Sequence, residues 1–233
     1  MNWQDIQVSS DQTCFYLEGT IIFGRKFEKV MKFHAPGLAP VKDETGSYHI
    51  DVAGNPLYPE RYDRTFGYYC NRAAVMASGK WFHVTEKGNR AYPDNYAWTG
   101  NYQEDLSTVR DFSNNFFHID KAGQRIYSSN YLYCGDYKDG FACVRQTNRF
   151  FRHIDMNGRF IYDAEFIDLG VFHKGYATAR DGEGWFHITR EGKEIYAHRF
   201  KYLEPFYNGY ALATRLDDSK IVIDETGKFV LQL

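Results

Sequence analysis

Leucine is scarce in this chain. Only 11 of the 233 residues are Leu, whereas Tyr and Phe number 19 each and Trp four. That shortage of a strong helix former and surplus of rings suits pleated sheet and argues against an all-helical chain. Charge of one sign is also lacking: 28 Lys+Arg stand against 30 Asp+Glu, a formal net charge of −2. No long-range field exists to gather nucleic acid, so none is expected as a partner. No stretch approaches the ~18 consecutive apolar residues of a membrane helix. Met1 to Gly19 includes Trp3, Asp5, Asp11 and Glu18 without an apolar run, so the sequence predicts neither a signal peptide nor a membrane anchor. Cysteine is limited to Cys14, Cys70, Cys134 and Cys143, with no Cys-x-x-Cys pair. These read as small, partly buried thiols of a reducing compartment, the cytoplasm, with a Cys134 to Cys143 disulfide as the alternative.

Enzyme signatures are missing as well. The chain has no Gly-x-Ser-x-Gly elbow, no Gly-x-x-x-x-Gly-Lys loop, no His-Glu-x-x-His pair and no dinucleotide glycine fingerprint. The expectation is a non-enzymatic protein without cofactor or metal.

A repeat is present instead. Glycines fall at Gly19, Gly54, Gly88, Gly123, Gly158, Gly192 and Gly227, spaced by 34 or 35 residues. Five residues before five of them stand His49, His83, His118, His153 and His187, replaced by Cys14 in the first copy and Val222 in the last. One residue later comes Phe15, Ile50, Val84, Ile119, Ile154, Ile188 or Ile223. Four after the glycine are Phe23, Tyr58, Tyr92, Tyr127, Tyr162, Tyr196 and Leu231; fourteen after are Phe33, Tyr68, Tyr102, Tyr137, Phe172 and Phe206. A small-residue stretch follows, as in Gly175-Tyr176-Ala177-Thr178-Ala179-Arg180.

Local geometry follows from this phase. Trp185 to Thr189, an aromatic and β-branched run, then Arg190-Glu191-Gly192, then Lys193 to Tyr196 read as strand, tight turn and strand, with the glycine at positive φ. Asp51, Asp120, Asp155 and Asp224, three before their glycines, cap that turn. Tyr176 to Arg180 reads as a further strand. Phe200 to Phe206 reads as a fourth, which Pro205 confines to an edge or end. Each period is a meander of three or four short strands that buries its rings only by stacking on its neighbours. The expected fold is all-β, one domain over 1–233 of about seven units. They form a β-propeller-like ring or, alternatively, an open β-solenoid.

Small-residue strand, Trp-containing strand, Asp-x-x-Gly turn and aromatic tail together resemble the bacterial WG repeat, also called the KWG repeat. The likeness is clearest in Lys80-Trp81-Phe82-His83-Val84-Thr85, Gly184-Trp185-Phe186-His187-Ile188-Thr189 and Phe206-Tyr207-Asn208-Gly209-Tyr210-Ala211. It runs from about Cys14 to Gly227. The family pattern follows Trp with Gly, whereas here Phe82 and Phe186 follow it, and Phe116 or Phe151 replaces Trp in other copies, so this is a divergent branch. The resemblance implies a binding or scaffold element with no active site to carry across.

Four groups of residues could carry chemistry. His49 with Asp51, His118 with Asp120 and His153 with Asp155 form His-x-Asp pairs on one strand face, a fragment of a metal or acid/base site. The favoured reading is structural, the same imidazole hydrogen bond made in every copy. Arg110, Arg145 and Arg180 share one phase, with Arg152 nearby, and three guanidinium groups could grip a carboxylate or phosphate; solvated charge is the favoured reading. Asn101-Tyr102-Gln103-Glu104-Asp105-Leu106 breaks the Gly-aromatic-Ala consensus, as Tyr69-Cys70-Asn71-Arg72 does one copy earlier, so Tyr102, Glu104 and Asp105 join the binding candidates. Trp98 lies outside the aromatic phases and is a fourth. The leading expectation is protein–protein interaction; the alternative is a glycan or small-ligand receptor with one aromatic-lined site per repeat.

Overall fold

A computed structural model describes residues 1–233. The chain divides into two compact units, Met1–Arg125 and Ile126–Leu233, and both consist of small antiparallel sheets whose strands follow in chain order. The one helical element is a 3-10 turn at Trp3–Asp5. No helix is long and apolar enough to cross a membrane, and no disulfide links the four cysteines.

Met1–Arg125 holds four sheets. They are β1 (Gln7–Val8), β2 (Phe15–Leu17) and β3 (Thr20–Ile22); β4 (Lys29–Val30), β5 (Ala39–Asp43) and β6 (Gly46–Ile50); β7 (Arg64–Tyr69), β8 (Arg72–Ala77) and β9 (Lys80–Thr85); and β10 (Trp98–Gln103), β11 (Leu106–Arg110) and β12 (Phe116–Ile119). Ile126–Leu233 holds three more. These are β13 (Tyr133–Cys134), β14 (Phe141–Arg145) and β15 (Phe151–Asp155); β16 (Asp168–Leu169), β17 (Tyr176–Arg180) and β18 (Trp185–Thr189); and β19 (Tyr202–Leu203), β20 (Tyr210–Thr214), β21 (Lys220–Asp224) and β22 (Phe229–Gln232). The all-β meander of the sequence reading is therefore observed, three strands to a sheet and four in the last.

The central strands are built of small residues because both of their faces are covered. Ala73, Ala74 and Val75 of β8 and Ala177 and Ala179 of β17 are almost fully buried. The recurrent turn is closed twice: Gly192 N–H donates to Thr189 O, and the Thr189 N–H returns to Lys193 O. In four copies the carboxylate three residues before the glycine also accepts two backbone amides. Asp155 takes those of Asn157 and Arg159, both at 2.9 Å.

One expected strand is interrupted. Lys193 to Tyr196 forms only a single bridge, Ile188 to Glu194, after which the chain arches away and returns at Phe200, whose N–H donates to Trp185 O. The reason is Tyr196, which leaves the sheet edge and lays its ring on Gly227 of the next copy, 2.2 Å from where a Cβ would stand. Tyr58 on Gly88, Tyr92 on Gly123, Tyr127 on Gly158 and Tyr162 on Gly192 repeat this seam. Where the phase gives Leu231 instead of Tyr, the arch is absent and β22 runs on, with Leu231 opposite Val222. Tyr202–Leu203, within the expected Phe200–Phe206 strand, starts the next sheet.

Candidate functional site

His49, His83, His153 and His187 lie on the third strands of their sheets, β6, β9, β15 and β18, facing the sheet that follows. His49, His83, His153 and His187 are fully buried. Each Nε2 meets a backbone carbonyl of the next copy: Phe66 O at 2.7 Å, Gly100 O at 2.9 Å, Gly170 O at 2.8 Å and Glu204 O at 3.0 Å. A carbonyl only accepts, so Nε2 carries the proton and Nδ1 must accept. Its donor is the hydroxyl of the tyrosine nine residues on, Tyr58, Tyr162 and Tyr196 at 2.5 Å and Tyr92 in the same arrangement. Burial pushes all four imidazoles down to about 4, so they stay neutral at physiological pH. With both nitrogens engaged, none is placed to ligate a metal or take a proton from a substrate. The aspartates of the His-x-Asp pairs turn to their own loops instead.

A second recurrent element is a guanidinium laid on the ring preceding the histidine. Arg61 covers Tyr48 at 3.8 Å, Arg90 covers Phe82 at 4.0 Å, Arg125 covers Phe117 at 3.9 Å and Arg199 covers Phe186 at 3.7 Å. The same arginines fasten the arch. Arg90 donates to Tyr92 O, Pro93 O and Asp94 O, and Arg61 to Tyr58 O, Pro59 O and Glu60 O. Arg152 is the inverted case. It stands where the other copies have the ring, and Phe160 stands where Arg90 and Arg125 would, giving the same contact at 3.8 Å with the partners exchanged. Arg152 also donates to Tyr162 O and pairs with Asp163 at 3.5 Å. The sequence offers Arg152 as a binding candidate beside the arginine ladder; its exchange with Phe160, two residues past the repeat glycine where Arg90 and Arg125 stand, is the signal that places it against a ring of its own copy.

The arginine ladder belongs to a row across each sheet. Directly opposed residues on antiparallel strands share a face, and the register places Trp98, Arg110 and Phe116 side by side on β10, β11 and β12. Tyr133, Arg145 and Phe151 form the matching row of the next sheet, and Asp168, Arg180 and Trp185 that of the one after. Arg110 sits 5.8 Å from the Phe116 ring and Arg145 5.3 Å from that of Phe151. Trp98 and Phe116 are 6.3 Å apart, as are Tyr133 and Phe151. Arg145 Nε further donates to Arg149 O at 3.2 Å, whereas Arg180 is exposed. Two of the three guanidinium groups are thus held against rings of their own sheets. Trp98 is 37% exposed and Tyr133 46%, so these two rows present a ring beside a guanidinium to solvent.

The consensus break resolves into core and turn. Tyr102 is fully buried and its hydroxyl donates to Asp120 O at 2.8 Å, so it offers no surface to a partner. Glu104 and Asp105 form a two-residue hairpin at φ of 50° and 65°, with Cys70 and Asn71 in the matching turn at 48° and 65°. Asn208-Gly209 and Lys174-Gly175 make the same turn with glycine second. Asp105 pairs with Lys121 at 2.5 Å, and the hydrogen bond from that ammonium lowers its carboxyl below the usual range.

A family model described as WG containing repeat matches residues 188–215. No curated protein matches the chain in sequence. Among solved structures, the chain is similar to a eukaryotic initiation factor, at a TM-score of 0.65 and 9% identity over 98% of this chain and 72% of that one. It is similar to BamB from Moraxella catarrhalis at 0.54 and 13% identity, over 94% and 76%. The computationally designed Ika8 protein follows at 0.53 and 12% identity, over 98% and 83%. At these identities the likeness is one of fold alone, a chain of small repeated antiparallel sheets.

Proposed function

Because residues 188–215 are a WG-containing repeat whose phase recurs along the chain, we propose that this is a non-enzymatic repeat module that binds another protein. The observation carrying this reading is the row of Trp98, Arg110 and Phe116, with its counterpart of Tyr133, Arg145 and Phe151. Trp, Tyr, Phe and Arg are the side chains enriched where proteins meet, and they supply most of the binding energy there. The engaged, neutral histidines support the non-enzymatic part, since the residues most repeated in the chain do structural work.

The test is retention of a partner on the immobilised full chain, compared with Trp98→Ala/Arg110→Ala and Tyr133→Ala/Arg145→Ala variants. The expected outcome is one protein retained at fixed stoichiometry by the parent and lost at least tenfold by one variant, a truncation cost typical of anchor residues. Several equivalent weak sites for a glycan in calorimetry, with no protein retained, would overturn it.

A further inference from the structure

In the sheet β4–β6 the cross-strand row departs from those of the four sheets that follow, which carry Trp81, Phe116, Phe151 and Trp185 on the third strand. Its members are Lys29, Lys42 and Ser47, so Ser47 stands where the next two sheets carry Trp81 and Phe116. A missing ring leaves space. A groove of about 450 Å³ opens there, with Met31, Pro40, Val41 and Ser47 on one side and Thr65 and Phe66 of β7 on the other, rimmed by Lys29, Lys42, Arg64 and Asp63.

The charges around that space are unusual for a plain surface. Lys29 and Lys42 are directly opposed, an arrangement of like charges that destabilises a strand pair. Lys42 is partly relieved by Glu28 at 2.8 Å, an exposed pair of small value. Lys29 and Arg64 have no ion pair, and Asp63 is the one carboxylate lining the groove. An occupant that supplied a ring and negative charge together would fill the vacated place and relieve the opposed lysines. In the next sheet the corresponding place is filled by a ring, Trp81 of β9, which lies 5.6 Å from Phe66 of β7 at 30°.

We infer that this groove binds a peptide segment of a protein partner in which an aromatic side chain is flanked by carboxylates. The ring takes the position that Trp81 and Phe116 occupy in their own rows, and the carboxylates meet Lys29, Lys42 and Arg64. The inference rests on the protein-binding reading only in taking a peptide as the occupant; its site is separate from the exposed rows.

The test is an amide NMR titration of the full chain with an N-acetylated, C-amidated tripeptide of glutamate, phenylalanine and glutamate. Saturable shifts are expected at Lys42, Ser47, Thr65 and Phe66. Binding should weaken roughly tenfold on Ser47→Phe, which supplies the missing ring internally, and by about the same factor on Lys29→Glu/Arg64→Glu, which removes the cations from the exposed rim without touching the core. The same tripeptide with lysines in place of glutamates should not bind. No saturation at millimolar peptide, shifts elsewhere, or affinity indifferent to the rim variant would overturn the inference. If the row variants still lose the retained protein while the tripeptide fails to bind, the groove is refuted and the interaction reading stands. If the tripeptide binds as expected while the row variants retain the protein as well as the parent does, the reading of the exposed rows falls alone.

Discussion

Tyr162 bridges two copies through Gly192: its ring atoms lie 2.7 Å from the position a Cβ on Gly192 would take, while its hydroxyl donates 2.5 Å back to Nδ1 of His153. The glycine is therefore required twice, for its φ of 71° and for clearance under the ring.

Gly192→Ala should be much worse than Gly209→Ala. Both glycines have positive φ, but nothing lies within 4 Å of a Cβ on Gly209. A left-handed alanine costs about 1–2 kcal/mol, and overpacking against Tyr162 adds about 1–3 kcal/mol. Urea unfolding midpoints compare the two, and equal losses would show that the ring seam does not matter.

Acid should unfold the protein well above the carboxylate range. The histidines are near 4 when folded and about 6.5 when unfolded. Between those values the unfolded chain binds more protons, so stability is complete above about pH 6.5, falls as pH drops, and stops falling on this account below about 4. Each histidine gives up about 2 kcal/mol by pH 5. His49, His83, His153 and His187 together approach the ~5–15 kcal/mol of a whole domain. Tyrosine fluorescence against pH should show a cooperative transition near pH 5; a native signal persisting to pH 3.5 would contradict it.

The hydroxyl and the imidazole should prove strongly coupled. Tyr162→Phe leaves the buried Nδ1 of His153 without its donor, at a cost of about 1–3 kcal/mol. His153→Val alone orphans both the hydroxyl and Gly170 O. The double variant should cost less than the sum of the singles by about 1 kcal/mol or more, and its acid midpoint should move lower. Strict additivity in the double-mutant cycle would break the pair.

Exchanging Arg152 and Phe160 should be tolerated although neither single change is. Arg152→Phe with Phe160→Arg reproduces the arrangement of Phe82 with Arg90, whereas each single change loses the ring–guanidinium contact, about 0.5–2 kcal/mol. Thermal unfolding of the three variants reads this directly.

Most of the array was legible because its signals sit at one phase each: the glycine at a positive-φ turn, the apolar residue after the histidine, and the aromatic fourteen residues past the glycine. The last of these already placed Tyr102 in the core, so its choice as a contact residue overrode a visible pattern. The His–Tyr pair was also in the text of the chain. The five histidines at the repeat phase are each followed nine residues later by Tyr, and where Cys14 or Val222 replaces His, Phe23 or Leu231 replaces Tyr. The rows were hidden, because Trp98, Arg110 and Phe116 become neighbours only through strand register, and in β10 that register shifts at a bulge between Thr99 and Tyr102. The missing ring at Ser47 was in plain view, two residues before His49 at the phase of Trp81, Phe116, Phe151 and Trp185, whereas the opposition of Lys29 and Lys42 emerges only from strand register.

Since an imidazole of one sheet hydrogen-bonds a carbonyl of the following sheet, the bookkeeping of polar groups closes only over a whole period. Evolutionary gain or loss of sequence should accordingly come in quanta of thirty-four or thirty-five residues, cut at equivalent points. A shorter indel that removed a histidine yet kept the carbonyl seventeen residues beyond it would strand that oxygen in a dry seam.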